Sequence, residues 1–261
     1  MKTVMQKKEK EFIKAAALYL ENPSFLVRVT DLLGKPVELA LNRLPQKARQ
    51  KIAEVSNSSL KKALDYASKS ITRGGISSDK GHMLLTGASG AVGGFFGLAA
   101  LPIELPITTI MMLRSIAAIA DEYGHDIDDP YVQMDCLSVF SMGSPSPADD
   151  NMTSSYFASR LAMARFIEEA AQMLAKKTAK DISQPVLMRF VAAVASRFEV
   201  VLTEKAAAQS IPIVGAVTGA IINSSFTAHF NSVARYHFGL KALEKQYGPE
   251  QIRKEYLKHH A

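Results

Sequence analysis

Residues 83–114 read MLLTGASGAVGGFFGLAALPIELPITTIMMLR. Between His82 and Arg114 there is one charge, Glu104, set between Pro102 and Pro106. Glycine crowds the first half, at Gly87, Gly90, Gly93, Gly94 and Gly97. The run is long enough to cross a bilayer, which takes about 20 apolar residues, but a carboxylate and two prolines break it. It therefore divides at Pro102 into a glycine-rich helix over 83–100 and a second helix over 104–123. Gly90 with Gly94, and Gly93 with Gly97, fall four apart, so each pair shares a helical face and lets another backbone approach. In water each glycine costs a helix about 1 kcal/mol against alanine. Five of them imply tight packing against a neighbour, or a lipid setting.

A second uncharged stretch, 206–228, repeats the spacing with Gly215 and Gly219, shadowed by Ala216 and Ala220. Outward from these two segments the chain reads as helix after helix. The first covers 7–21, with Phe12, Ala15, Ala16 and Tyr19 opposite lysines. Another follows Asn22 and Pro23 and ends at Gly34, Lys35 and Pro36. Pro45 opens a long one to about Ile71, with Ile52, Val55, Leu60, Ala63, Leu64, Ala67 and Ile71 at helical spacing. Gly124 is placed to cap the helix before it, and Asp128 or Asp129 the next, with Pro130 at its first position. Further helices are predicted over 152–177, from Pro185 to about Lys205, from a segment opened by Ile211–Gly215 on past Asn223, and past the Gly248–Pro249 break. The expected fold is all-α, a multi-helix bundle with the two glycine-rich apolar segments at its centre. Its organisation is N-terminal helices over 1–40 and a helical domain over 41–258, with a linker-like loop at 143–151 that contains Ser144, Pro145, Ser146 and Pro147.

The totals set the partners. The chain has 261 residues, a formal net charge of +6 and a pI near 9.3, which suits an anionic partner. It has no tryptophan, no zinc-finger spacing and no aromatic RNA-binding strand, so a lipid surface is favoured and nucleic acid is not expected. The lone cysteine, Cys136, lies in an apolar run and reads as a buried thiol in a reducing compartment. Lys14 interrupts what would be the apolar region of a signal peptide, so no secretion signal is expected. The expected location is cytoplasmic, peripheral to or partly embedded in the inner membrane.

Several residues carry a resemblance. Pro102, Glu104, Leu105, Pro106, Ile107 and Thr108, then Arg114, Ser115, Ile116 and Ala117, then Tyr123 and Gly124, resemble the EcsC family of bacterial proteins. Asp129–Pro130 and Val139–Phe140 fit the same pattern. So do Ile211, Pro212, Ile213, Val214, Gly215 and Ala216, followed by Asn223, Phe226, His229, Leu240, Leu243, Tyr247 and Gly248. The likeness runs from about Ala40 to Tyr256. The family takes its name from the third member of an operon that encodes an ABC transporter, so the resemblance points to a membrane-protein partner of that kind. It implies no defined reaction. Some members are labelled peptidases, but no nucleophile–base signature here supports the label.

The candidate functional residues are Glu104, Thr108, Arg114, Asp121, Asn223 and His229. Glu104 in an apolar run must pair, protonate or reach water, or serve the first turn of its helix. Arg114 is read as its partner, as the partner of Asp121, or as an anchor for a lipid phosphate. Asn223 shares a face with Phe226, Phe230 and Ala234 and is read as a core amide bonding across helices. His229 falls with Ser225, Ser232 and Tyr236 and is read as bonded to a neighbouring element. The acidic run after His125 lacks the glycine and distant glutamate of a calcium loop, and there is no HExxH, GxSxG or P-loop. No metal and no cofactor are expected. The favoured function is a non-enzymatic, membrane-associated helical protein that binds lipid or assists a membrane transport system. The alternative is a hydrolase that uses Glu104, Arg114 and His229 between the two apolar segments.

Overall fold

The computed structural model describes residues 4–21, 25–33, 37–70, 101–143, 154–176, 182–211 and 216–259. Among them the chain is all-α, with ten helices and no strand. In chain order they are α1 (Lys7–Leu20), α2 (Phe25–Leu33), α3 (Val37–Asn42), α4 (Gln46–Ser70) and α5 (Leu101–Glu122). After them come α6 (Pro130–Ser138), α7 (Ser155–Ala175), α8 (Pro185–Ser210), α9 (Ala216–Tyr247) and α10 (Pro249–Leu257). The glycine-rich stretch 83–100, the Ser144–Pro147 linker and residues 212–215 lie outside the described residues, and with them Gly90, Gly94, Gly93, Gly97 and Gly215.

Local chemistry sets the helix ends. Gly124 takes φ +74° beyond α5, and its N–H and that of His125 close on the carbonyls of Asp121 and Ala120. That pair of bonds is a Schellman cap, which needs the left-handed backbone glycine adopts freely. At the start of α6 the Asp129 side chain accepts from the Tyr131 N–H at 2.8 Å, with Pro130 in the first helical position. Ser154 caps α7 through the Phe157 N–H. Gly248, at φ +88°, turns the chain between α9 and α10.

The 32-residue α9 runs through the molecule and packs against α1, α2, α5, α8 and α10. Helix α4 lies on α5 and α8, while α7 lies on α6 and α8. Where these meet, Phe140, Phe198, Phe226 and Phe230 are buried with ring centroids 5.0–6.0 Å apart, and Phe25 of α2 meets Phe226 edge-on. Tilted and edge-to-face pairs at this spacing add to what area burial alone supplies. Close approaches need missing side chains: a Cβ on Gly239 would stand 2.3 Å from the Phe12 ring of α1.

One boundary moves: the helix from Pro185 was expected to end near Lys205 and runs on to Ser210. The uncharged stretch 206–228 is two pieces of two helices. Ala206 to Ser210 finish α8, Ile211 is extended at φ −72°, ψ 123°, and α9 starts at Ala216. Proline at position 212 disfavours helical backbone at the residue before it, so the chain turns where the hydropathy does not change. The short helix α3 was not anticipated.

Candidate functional site

Two buried ionic centres stand on α9. The first gathers the start of α5, the end of α8 and the first third of α9. Glu104 is buried in the first turn of α5, where the helix dipole favours a carboxylate. Its Oε1 accepts from Lys205 Nζ at 2.9 Å, and both side chains are sealed from solvent. The Lys205 ammonium also stands 4.7 Å from the centroid of the Phe226 ring, a cation–π contact. Burial pushes the Lys205 pKa down, against the opposing pull of Glu104. Oε2 of Glu104 has no hydrogen-bond partner among the described residues, and neither amide atom of Asn223 nor the Thr227 hydroxyl has one. Next to Lys205, Glu204 accepts a backbone hydrogen bond from Leu26 and has its other oxygen unpartnered. Burial pushes the Glu204 carboxyl up to about 7.

Thr108 is buried and donates back to the Glu104 carbonyl at 3.0 Å. Arg114 is half-buried and Asp121 exposed. Glu104 and Arg114 lie ten residues apart on one continuous helix, ~15 Å of rise. The cation at Glu104 is thus Lys205 from another helix and not Arg114, which corrects the pairing read from sequence. Asn223 is buried beside Phe226 as expected.

His229 is fully buried, where a partly polar face was expected, because α1 and α2 cover it with Tyr19 and Phe25. Its Nε2 lies 2.6 Å from the Gly143 carbonyl, so the ring donates there. The Tyr19 hydroxyl sits 3.3 Å from the His229 carbonyl and 3.5 Å from Nδ1, and receives a hydrogen bond from Arg28. Burial pushes the His229 pKa down to about 4, so the imidazole is neutral. No hydrogen bond joins His229 to Glu104.

The second centre was missed by sequence reading. Asp135 of α6, His237 and Lys241 of α9, and Tyr156 of α7 form one hydrogen-bonded chain. His237 Nε2 lies 3.2 Å from Asp135 Oδ1, Lys241 donates to Oδ2, and the Tyr156 hydroxyl lies 3.0 Å from His237 Nδ1. Burial works against the Asp135 charge, yet the hydrogen bond from His237 and the Lys241 ammonium outweigh it and hold the carboxyl below its ordinary range. Burial pushes His237 down, so the ring is neutral, with Nε2–H donating to Asp135 and Nδ1 accepting from Tyr156. Burial raises the Tyr156 hydroxyl as well, so it keeps its proton. Beside this chain Arg160 of α7 meets Glu244 of α9 in a two-bond fork, 2.7 and 2.9 Å. Asp135, His237, Lys241, Arg160 and Glu244 line a cavity of about 300 Å³ together with Tyr131, Met142, Phe157, Leu161 and Ile167. Next to Asp135, Cys136 is buried, and burial pushes its thiol up.

A family model described as the EcsC protein family matches residues 6–243. The chain belongs to the EcsC family. The match begins at residue 6, so α1, α2 and α3 of this EcsC chain fall within it, as does His237; Glu244 lies just outside. No curated protein and no solved structure matches the chain.

Proposed function

We propose that this EcsC-family chain is a non-enzymatic helical protein that meets a lipid bilayer, on its cytoplasmic face, with the end of the bundle marked by Glu104 and Lys205. The observation that carries the reading is the exposed apolar patch on the first turns of α5. The Glu104–Lys205 bond brings the start of α5 to the end of α8, two helix ends that adjoin uncharged runs of sequence. The same end exposes large apolar side chains one helical turn apart, Ile103 at 75% and Ile107 at 53%, with Ile221 near the start of α9. Apolar side chains at this exposure in one place suit a membrane contact. Helix α5 has the length and composition to cross a membrane, but 61% of its apolar window is buried in the protein, which favours peripheral contact over a span. The net charge of +6 adds attraction to anionic headgroups. Service to a membrane transport system, such as an ABC transporter, belongs to the same proposal.

The test is co-sedimentation of the full chain with vesicles of phosphatidylglycerol and of phosphatidylcholine, across salt. Binding is expected to favour the anionic vesicles and to weaken with salt. The double variant Ile103→Glu/Ile107→Glu should abolish it while changing stability by no more than about 0.5 kcal/mol per exposed site. Equal binding by parent and variant, or no binding to either vesicle, would overturn the reading.

A further inference from the structure

We infer that the cavity between α6, α7, α9 and α10 is a binding site for a small amphiphile that carries an anionic head, a carboxylate or a phosphate monoester, on an apolar body. The argument is a count of donors and acceptors. Both oxygens of Asp135 already accept, one from His237 and the Ser138 hydroxyl and the other from Lys241, and both oxygens of Glu244 accept from Arg160. Both nitrogens of His237 are occupied by Asp135 and Tyr156. The cations are not used up. An ammonium has three protons and a guanidinium five N–H groups. Among the described residues the hydrogen-bond acceptor of Lys241 is Asp135, its ammonium stands 5.0 Å from the Tyr131 ring centroid, and its side chain remains 17% exposed at the cavity. Arg253 of α10 lines the cavity, stands 5.6 Å from the Phe157 ring centroid and makes no ion pair among the described residues. The cavity therefore holds uncommitted donors on Lys241 and Arg253, and a ligand that fits them brings acceptors. The rest of the lining is largely apolar, through Met142, Phe157, Leu161 and Ile167, and takes a hydrocarbon body. The volume of about 300 Å³ is that of a small-molecule site. One carboxylate is left at the rim, Glu250, exposed in the first turn of α10, one turn before Arg253. It opposes the anion and supplies a test of opposite sign.

The experiment is calorimetric titration of the full chain with sodium decanoate, decyl phosphate, 1-decanol and inorganic phosphate. The first two are expected to bind saturably at one site, and the last two at least about tenfold more weakly. Arg253→Ala should weaken decanoate binding about fivefold, a change of ~1 kcal/mol, and Glu250→Gln should tighten it. Ala164→Trp, at an exposed α7 position that lines the cavity, should abolish it, with circular dichroism confirming that the variant folds. Vesicle co-sedimentation of Ala164→Trp separates two sources of the same chemistry. Retained binding assigns the head to a free amphiphile, and lost binding assigns it to a bilayer lipid. Decanol binding as tightly as decanoate, inorganic phosphate binding as tightly as decyl phosphate, or decanoate binding indifferent to Ala164→Trp and Arg253→Ala would each overturn the inference. So would the absence of saturable binding by both amphiphiles, and this would leave the vesicle contact at Ile103 and Ile107 standing.

Discussion

The two ionic centres on α9 solve one problem in opposite ways. Phe226, under Lys205, and Lys241 are fifteen residues apart, ~22 Å along the helix. At the first centre, Glu104 and Lys205 share a single hydrogen bond in a sealed site, and one carboxylate oxygen goes unmet among the described residues. At the second, Asp135 receives Lys241, His237 and, at 3.3 Å, the Ser138 hydroxyl, and its neighbours open onto a cavity. Desolvation taxes both. A sealed one-to-one pair recovers little beyond its cost and chiefly dictates which helices meet, because one charge left there without the other is worse than the absence of both. A network with every oxygen met recovers more and can share its surplus donors with a ligand.

The sharpest break of that contrast is Lys205→Met. It leaves Glu104 buried without its cation and should cost about 3–5 kcal/mol in chemical denaturation. The double variant Glu104→Leu/Lys205→Met should return to within about 1 kcal/mol of the parent, since the desolvation cost leaves with the charges. A double variant as unstable as the single one would show that the pair is worth more than its desolvation.

Asp135→Asn is next. It removes the anion that Lys241 and His237 face, and about 2–3 kcal/mol should be lost, less than at Lys205 because the cavity lets water reach Lys241. Equal losses at the two centres would erase the distinction between them.

The pH dependence sharpens it further. The Glu204 pKa is raised to about 7, so the folded state holds a proton that the unfolded chain releases near 4.5. Its contribution is full below that pH and is lost as pH rises through 7. Glu204→Gln, which mimics the protonated acid, should then stabilise the chain by ~2 kcal/mol at pH 8 and by almost nothing at pH 4. The figure is discounted from the full shift because the group is partly exposed. His229, lowered to about 4, runs the other way: its contribution is present above pH 6.5 and is lost as pH falls through 4. Thermal melts of parent and variant at the two pH values read both.

The smallest expected effect is Lys241→Met. His237 still donates to Asp135 and water in the cavity replaces the ammonium, so about 1 kcal/mol is expected from denaturant midpoints. A loss as large as that of Asp135→Asn would mean that the lysine, and not the network, holds the carboxylate.

Legibility followed distance along the chain. Gly124, Asp129 and Pro130 could be read because a cap is made by neighbours two to five residues away. The inward face of Asn223, Phe226, Phe230 and Ala234 could be read from a 3.6-residue period. Lys205 could not be paired with Glu104 across 101 residues, and Arg114, on the same helix, took its place in the reading. Asp135 and His237, 102 residues apart, left weaker signs: a carboxylate inside the apolar run from Met134 to Leu137, and His237 four residues before Lys241 on one helical face. His229 was expected on a half-polar face because that face is polar on its own helix; α1 and α2 bury it.

By itself the sequence determined the helical class, most helix ends, the family and the core face of α9, because periodicity, caps and ordered motifs are properties of neighbouring residues. Only the tertiary structure decided which charges meet in the interior, where the cavity lies, and that 206–228 divides between two helices. A side chain's partner depends on which helices pack, and packing is set by the summed burial of the whole bundle.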